Sequence, residues 1–181
     1  MNSRLNKKYQ TEIVPKLMAQ FGYKNKMAVP KIAKVSVNVG INSKNTDSGF
    51  MAAVENTLIR ITGQKPIKTK AKKAISAFKV RENMVVGMKV TLRGQRMYDF
   101  LDKLINISIP RIRDWRGLSG RTVDQQGNLN LGFREHNVFP EIRTDEIERI
   151  HGLEISVSTT AKNQAEGLAL FELLGFVFQK K

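Results

Sequence analysis

Hydrophobic residues recur at helical spacing over residues 3–22, where Leu5, Tyr9, Ile13, Leu17 and Phe21 stand four apart. Pro15 interrupts that run, so the helix must kink or split there, because proline has no amide proton to give its preceding turn. After a linker at Lys24–Pro30 the period changes to two. Val35, Val37 and Val39 alternate with Lys34, Ser36 and Asn38, which predicts a half-buried strand from Ile32 to Val39 ended by Gly40. Phe50, Val54, Leu58 and Ile61 then form the stripe of a second helix. Thr46, Asp47 and Ser48 offer oxygens to its first turn, and Gly63 stops it.

Pro66 places a short strand, Lys65–Lys70, at a sheet edge or a strand start. Lys72–Met84 reads as a long basic loop. Met88, Val90 and Leu92 alternate with Lys89, Thr91 and Arg93 in another strand, broken by Gly94. A helix is expected from Gln95 to Ser108, with Met97, Leu101, Leu104 and Ser108 on one line and Pro110 as its stop. Residues 110–150 are less regular. Pro110–Gly117 suggests an extended basic surface segment around Trp115, Asn128–Glu135 a strand, and Glu141–Glu148 an acidic patch. Leu153, Ile155 and Val157 alternate in a last strand, and Asn163 with Glu166 caps a last helix, closed by Gly175. The order implies an α+β fold: an antiparallel-rich mixed sheet with helices packed on one face and a polar, basic face left open. The expected organisation is one domain over 1–181, carrying the basic loop at 72–84 and an insertion at 110–150.

Charge gives the open face a meaning. Lys and Arg number 31 against 16 Asp and Glu, for a formal net charge of +15. Between Lys65 and Arg81 stand Lys68, Lys70, Lys72, Lys73 and Lys79 with no acid among them. A cluster of that kind repels itself unless a polyanion lies beside it. A nucleic acid fits best, since each phosphate neutralised releases counterions, and an anionic membrane surface comes second. The strand rows Lys34/Ser36/Asn38, Lys65/Lys68/Lys70 with Thr69, and Lys89/Thr91/Arg93 would, as neighbours, present cations to phosphates and hydroxyl and amide groups to 2′-OH groups and base edges. Phe78 and Ile75 at the loop tip could stack on or pack against a nucleic-acid backbone.

The remaining signals exclude more than they suggest. There is no Cys, which removes disulfides and thiolate chemistry and fits a reducing compartment. The first residues resemble no secretory signal, and no apolar run is long enough to cross a membrane, so a cytoplasmic protein is expected. No phosphate-binding glycine loop or nucleophile elbow occurs, and His136 and His151 lack metal-ligand spacing. No cofactor, metal, membrane or small-molecule substrate is implied. Two rivals remain: a general basic DNA-binding or architectural protein, and an RNA-processing enzyme using His136 or His151 as base.

Several stretches, taken together and in order, resemble the bacterial large-subunit ribosomal protein five family. They are Ile61-Thr62-Gly63-Gln64-Lys65-Pro66, Thr69-Lys70-Ala71-Lys72-Lys73, Lys89-Val90-Thr91-Leu92-Arg93-Gly94, Pro110-Arg111-Ile112-Arg113-Asp114, Phe139-Pro140-Glu141-Ile142 and Thr159-Thr160-Ala161-Lys162. The resemblance spans residues 3–180 and implies a non-enzymatic protein of the central protuberance of the large ribosomal subunit. By that resemblance Asn38, Gln64, Thr69, Thr91 and Arg93 would bind 5S rRNA, with Lys34, Lys65, Lys68, Lys70 and Lys89 on nearby phosphates. Lys72, Lys73, Ser76, Ala77, Phe78, Lys79 and Arg81 would reach P-site tRNA. Arg111, Arg113, Arg116, Glu141, Asp145 and Glu146 would meet the small-subunit head through its ribosomal protein thirteen. Other 5S-binding ribosomal proteins would be neighbours. The chain departs from the family pattern at Ile41-Asn42, Asp124-Gln125-Gln126-Gly127-Asn128 and Arg143-Thr144-Asp145.

Overall fold

The computed structural model describes residues 3–41, 47–143 and 149–179. The helices and strands are α1 (Arg4–Lys8), α2 (Val14–Phe21), β1 (Ile32–Gly40), α3 (Ser48–Thr62), β2 (Ile67–Lys70), β3 (Val85–Leu92), α4 (Gly94–Lys103), β4 (Leu129–Phe133), β5 (Leu153–Thr159) and α5 (Gln164–Leu174). The strands form one sheet in the order β2-β3-β1-β5-β4.

Every neighbouring pair in that sheet runs antiparallel. β2 and β3 pair with Ile67 opposite Lys89 and Thr69 opposite Gly87. The Ile41 N–H donates to the Val86 carbonyl (2.9 Å), joining the end of β1 to the start of β3. Thr160 N–H donates to Lys31 O (2.9 Å), joining the end of β5 to the start of β1. Thr159 N–H donates to Asn128 Oδ1 (2.9 Å), joining the end of β5 to the start of β4. The fold is α+β, as the alternating periods predict.

The residues cluster into two compact units. The first is Met1–Val35, Leu92–Leu131 and Ser156–Lys181, and the second is Ser36–Thr91 and Gly132–Ile155. In the first unit α1 packs on α4 and α2 packs on α5. Pro15 has the effect anticipated for it. A π-helical turn, Tyr9–Ile13, separates α1 from α2, and Val14 N–H reaches back five residues to Tyr9 O. Another π turn, Leu104–Ser108, follows α4, so the helix expected to Ser108 is α-helical only to Lys103. Its buried line of Met97, Leu101, Leu104 and Ser108 stands as expected.

Pro110–Gly117 is not extended. Ile109–Arg111 is a 3-10 turn, and Asp114 takes a left-handed backbone (φ 52°). What holds this segment is long-range: Leu118 N–H donates to Val177 O and Gln179 N–H to Leu118 O, both 2.8 Å. Such pairing between distant stretches leaves no local periodicity to read.

In the second unit α3 buries Phe50, Val54, Leu58 and Ile61, and Gly63 (φ 67°) ends it as expected. The N-terminal cap differs. Thr46 lies outside the described residues, and Asp47 makes no side-chain cap hydrogen bond. Its carboxylate accepts instead from Arg149 Nη1 at 3.1 Å.

Candidate nucleic-acid interface

Parity along each strand decides which side chains share the open face. On β1, Val35, Val37 and Val39 are fully buried, which leaves Lys34, Ser36 and Asn38 on the opposite side, each half-buried. On β3, Met88, Val90 and Leu92 are buried, and Lys89 and Thr91 point the other way. β1, β3 and β2 are adjacent, so the juxtaposition required of the three polar rows is met for β1 and β3.

β2 divides differently. Residues directly opposite in an antiparallel pair share a face. Ile67 faces with Lys89, and Thr69 with Gly87, so these two belong to the open side. Lys68 is opposite the buried Met88 and belongs to the helix side, where its Nζ lies 3.8 Å from Glu55 Oε2 of α3. Lys65 lies 3.9 Å from Glu55 Oε1. Glu55 thus supplies an acid to a cluster that has none in its own stretch of chain. Both lysines are more than half exposed, so these pairs are weak and exchangeable for a phosphate. A register shift between Thr69 and Lys70 breaks the alternation at the end of β2, and Lys70 is exposed.

Gly87 holds the second-unit part of the face flat. A Cβ there would come within 2.8 Å of Val39 O and 3.0 Å of Thr69 Oγ1. Glycine lets β1 close up on one side and lets the Thr69 hydroxyl lie over the backbone on the other. Gln64 is half-buried in the turn after α3, pinned by Thr62, whose hydroxyl donates to Leu58 O (2.6 Å). The same hydroxyl oxygen accepts from Gln64 N–H (3.3 Å). Arg93, in the first unit, is exposed and caps α4 in an extended conformation.

The basic loop is a folded hairpin. Ala71 N–H donates to Met84 O (2.8 Å), Ile75 N–H to Val80 O (2.9 Å) and Val80 N–H to Ile75 O (3.1 Å). A 3-10 turn at Ser76–Phe78 and a left-handed Lys79 (φ 53°) close its tip. Every residue from Lys72 to Lys79 is exposed, including Phe78 at 69%, and Arg81 is exposed on the return strand. The tip therefore offers cations and an aromatic ring on a backbone closed by its own hydrogen bonds.

Other sequence-predicted residues fall elsewhere. Arg111, Arg113 and Arg116 are exposed in the first unit, with Trp115 half-buried among them. Glu141 is half-buried in the second unit, and Asp145 and Glu146 lie outside the described residues. His136 and His151 are buried and stacked ring on ring at 4.1 Å, with planes 5° apart. His136 Nδ1 lies 3.3 Å from the His151 amide nitrogen, so the pair is built into the structure and offers no accessible base. Sequence reasoning missed three members of the face. Ile67 is 74% exposed, Glu154 projects from the open row of β5, and Gly87 is its close-approach point. The β2 lysines masked Ile67; alternation puts Lys68 on the other face, and only the register with β3 shows that Ile67 takes the open side.

Comparison with known proteins decides the family. The family model described as ribosomal protein L5 matches residues 25–81, and the ribosomal L5P family C-terminus matches residues 85–178. The chain belongs to the ribosomal protein L5 family. It is 51% identical over 178 residues to the large ribosomal subunit protein uL5 of Caldanaerobacter subterraneus subsp. tengcongensis, covering 98% of this chain and 99% of that one. It is 51% identical over 179 residues to the uL5 protein of Microcystis aeruginosa, covering 99% and 100%. The corresponding Ralstonia pickettii protein is 48% identical over 179 residues, covering 99% of each. As an L5 protein the chain is a structural constituent of the large ribosomal subunit and not an enzyme. Among the described residues no helix is long and apolar enough to cross a membrane.

Proposed function

We propose that this L5 protein binds 5S rRNA through the open sheet face and helps attach it in the central protuberance of the bacterial ribosome, in the cytoplasm. The observation that carries this reading is the placement of Asn38, Thr69, Lys89 and Thr91 on one side of three adjacent strands. Lys89 serves phosphates, while the hydroxyls and the amide serve sugar 2′-OH groups and base edges. Lys34 and Arg93 continue β1 and β3 with the same chemistry. Lys65, Lys68 and Lys70, with Gln64 at the turn before β2, contact RNA at the sheet edge, the first two by giving up Glu55. The hairpin tip reaches P-site tRNA. The surface from the 110–150 region meets ribosomal protein thirteen of the small-subunit head, and other 5S-binding ribosomal proteins lie alongside.

The test is a salt-titrated binding assay against 5S rRNA, tRNA and duplex DNA. Preference for 5S rRNA that survives rising salt supports the reading. Equal binding to all three that collapses together would leave only a basic protein and would return the DNA-binding alternative to first place. Thr91→Val should weaken 5S rRNA binding with the log-log salt slope unchanged, since no charge is removed. A fall in slope would show that Thr91 acts indirectly, by holding a neighbouring cation.

A further inference from the structure

A depression of about 410 Å³ opens on the second-unit end of the open face, lined by Asn38, Gly40, Gly132, Arg134, Gly152 and Glu154. Its floor is bare backbone. A Cβ at Gly40 or Gly132 would meet nothing within 4 Å, and Gly152 allows its segment to approach the Phe133 carbonyl, which a Cβ would reach at 2.9 Å. Polar groups stand around that floor: the half-buried Asn38 amide, the exposed Arg134 guanidinium and the exposed Glu154 carboxylate. Among the described residues, Glu154 is the only acid in the open rows of the five strands. On a phosphate-binding face an acid opposes binding unless it accepts hydrogen bonds from a base.

We propose that this depression takes one unstacked guanine of the bound RNA, with Glu154 reading its Watson–Crick edge. The inference rests on the reading of the open face as an RNA-binding surface. Guanine presents two donors side by side, N1–H and the 2-amino group, which match the two oxygens of a carboxylate. Uracil sets its single N3–H between two carbonyl oxygens, which a carboxylate repels. Adenine and cytosine pair one amino group with an acceptor nitrogen. Flat glycine backbone accommodates a base plane without steric conflict, and the Arg134 donors suit the phosphate attached to it.

Gly132→Val tests the cavity. The position is an exposed strand residue with open space at its Cβ, so the fold should tolerate valine, checked by an unchanged thermal melt. Full-length protein carrying Gly132→Val should bind 5S rRNA roughly tenfold more weakly with an unchanged salt slope, while Asn130→Val, on the same strand row but outside the depression, should bind as the parent does. Uridine oligoribonucleotides with one central guanosine, adenosine or cytidine test the base. The parent should prefer the guanosine oligomer, and Glu154→Gln should erase that preference. Parental 5S rRNA affinity in Gly132→Val, or equal affinity for the three oligomers, would overturn the proposal while leaving the open-face reading intact. If the unaltered protein shows no preference for 5S rRNA over duplex DNA, the open-face reading itself fails and this inference falls with it.

Discussion

Two histidines carry the clearest consequence at the scale of single residues. Burial pushes the His151 imidazole down to about 4, helped by the adjacent His136 ring, and burial lowers His136 as well. The groups around the pair do little to offset this. Phe50 of α3 meets His151 edge-on at 6.2 Å, the Gly152 carbonyl lies 3.3 Å from His151 Nδ1, and the Glu135 charge raises His136 only in part. A protonated His136 Nδ1 could donate to the His151 carbonyl at 3.2 Å, which raises His136 but does not outweigh burial. The folded protein therefore holds both rings neutral where an unfolded chain would protonate them at about pH 6.5. Stability is full above that value and falls as pH drops from about 6.5 towards 4, because the unfolded state then binds more protons. The loss attributable to His151 is on the order of 3 kcal/mol. His151→Phe keeps an aromatic ring and removes the titration, so urea midpoints measured across this window should vary much less with pH than in the parent. An equally steep decline in the variant would assign the acid sensitivity to other groups.

At the scale of elements, one close approach shows what the sequence makes legible and what it hides. The turn before β4 is built on Asp124, whose carboxylate accepts from Gln126 N–H (2.9 Å), Asn128 N–H (2.8 Å) and Asn128 Nδ2 (3.0 Å). Burial would raise this carboxyl, and the three donors more than compensate, leaving it below its usual range. The turn brings Gly127 onto Gly167 of α5, where a Cβ at Gly167 would lie 2.5 Å from Gly127 Cα. Gly167→Ala should therefore destabilise the protein by about 1–3 kcal/mol despite alanine's better helix propensity, seen as a lower urea midpoint. A stabilised variant would mean that the turn yields easily. β1, β3 and β5 were readable because a period of two follows from which side is buried, α5 because a cap pair opens a broad apolar run, and Gly63 and Gly175 announced their helix ends. The Gly127–Gly167 approach and the Leu118–Phe178 pairing arise between distant stretches and leave no mark at local spacing. The same limit governed the candidate site. β1 and β3 display their polar rows in sequence; alternation separates Lys68 from Thr69, but only pairing with β3 shows that Thr69 takes the open side.

At the scale of the whole molecule, the positive charge has two separate structural settings, and they predict different salt behaviour. On the sheet, uncharged groups such as Asn38, Thr69 and Thr91 stand beside Lys89. Along the hairpin, Lys72, Lys73 and Lys79 accompany small residues, the exposed Ile75 and Phe78. The hairpin is closed by backbone bonds, so its lysines can be changed without unmaking it. Lys79 needs a residue that accepts the left-handed backbone, for which asparagine serves better than alanine. A triple variant carrying Lys72→Ala, Lys73→Ala and Lys79→Asn should keep 5S rRNA affinity and salt slope close to the parent's. Its tRNA affinity should fall, and the tRNA salt slope should shrink by about 0.7–0.9 for each phosphate the hairpin no longer neutralises. The contrast matters more than either value. If the 5S rRNA slope shrinks in step with the tRNA slope, sheet and hairpin grip the same RNA. If only the tRNA slope changes, a single basic chain carries two RNA-binding surfaces distinguished by what surrounds their cations.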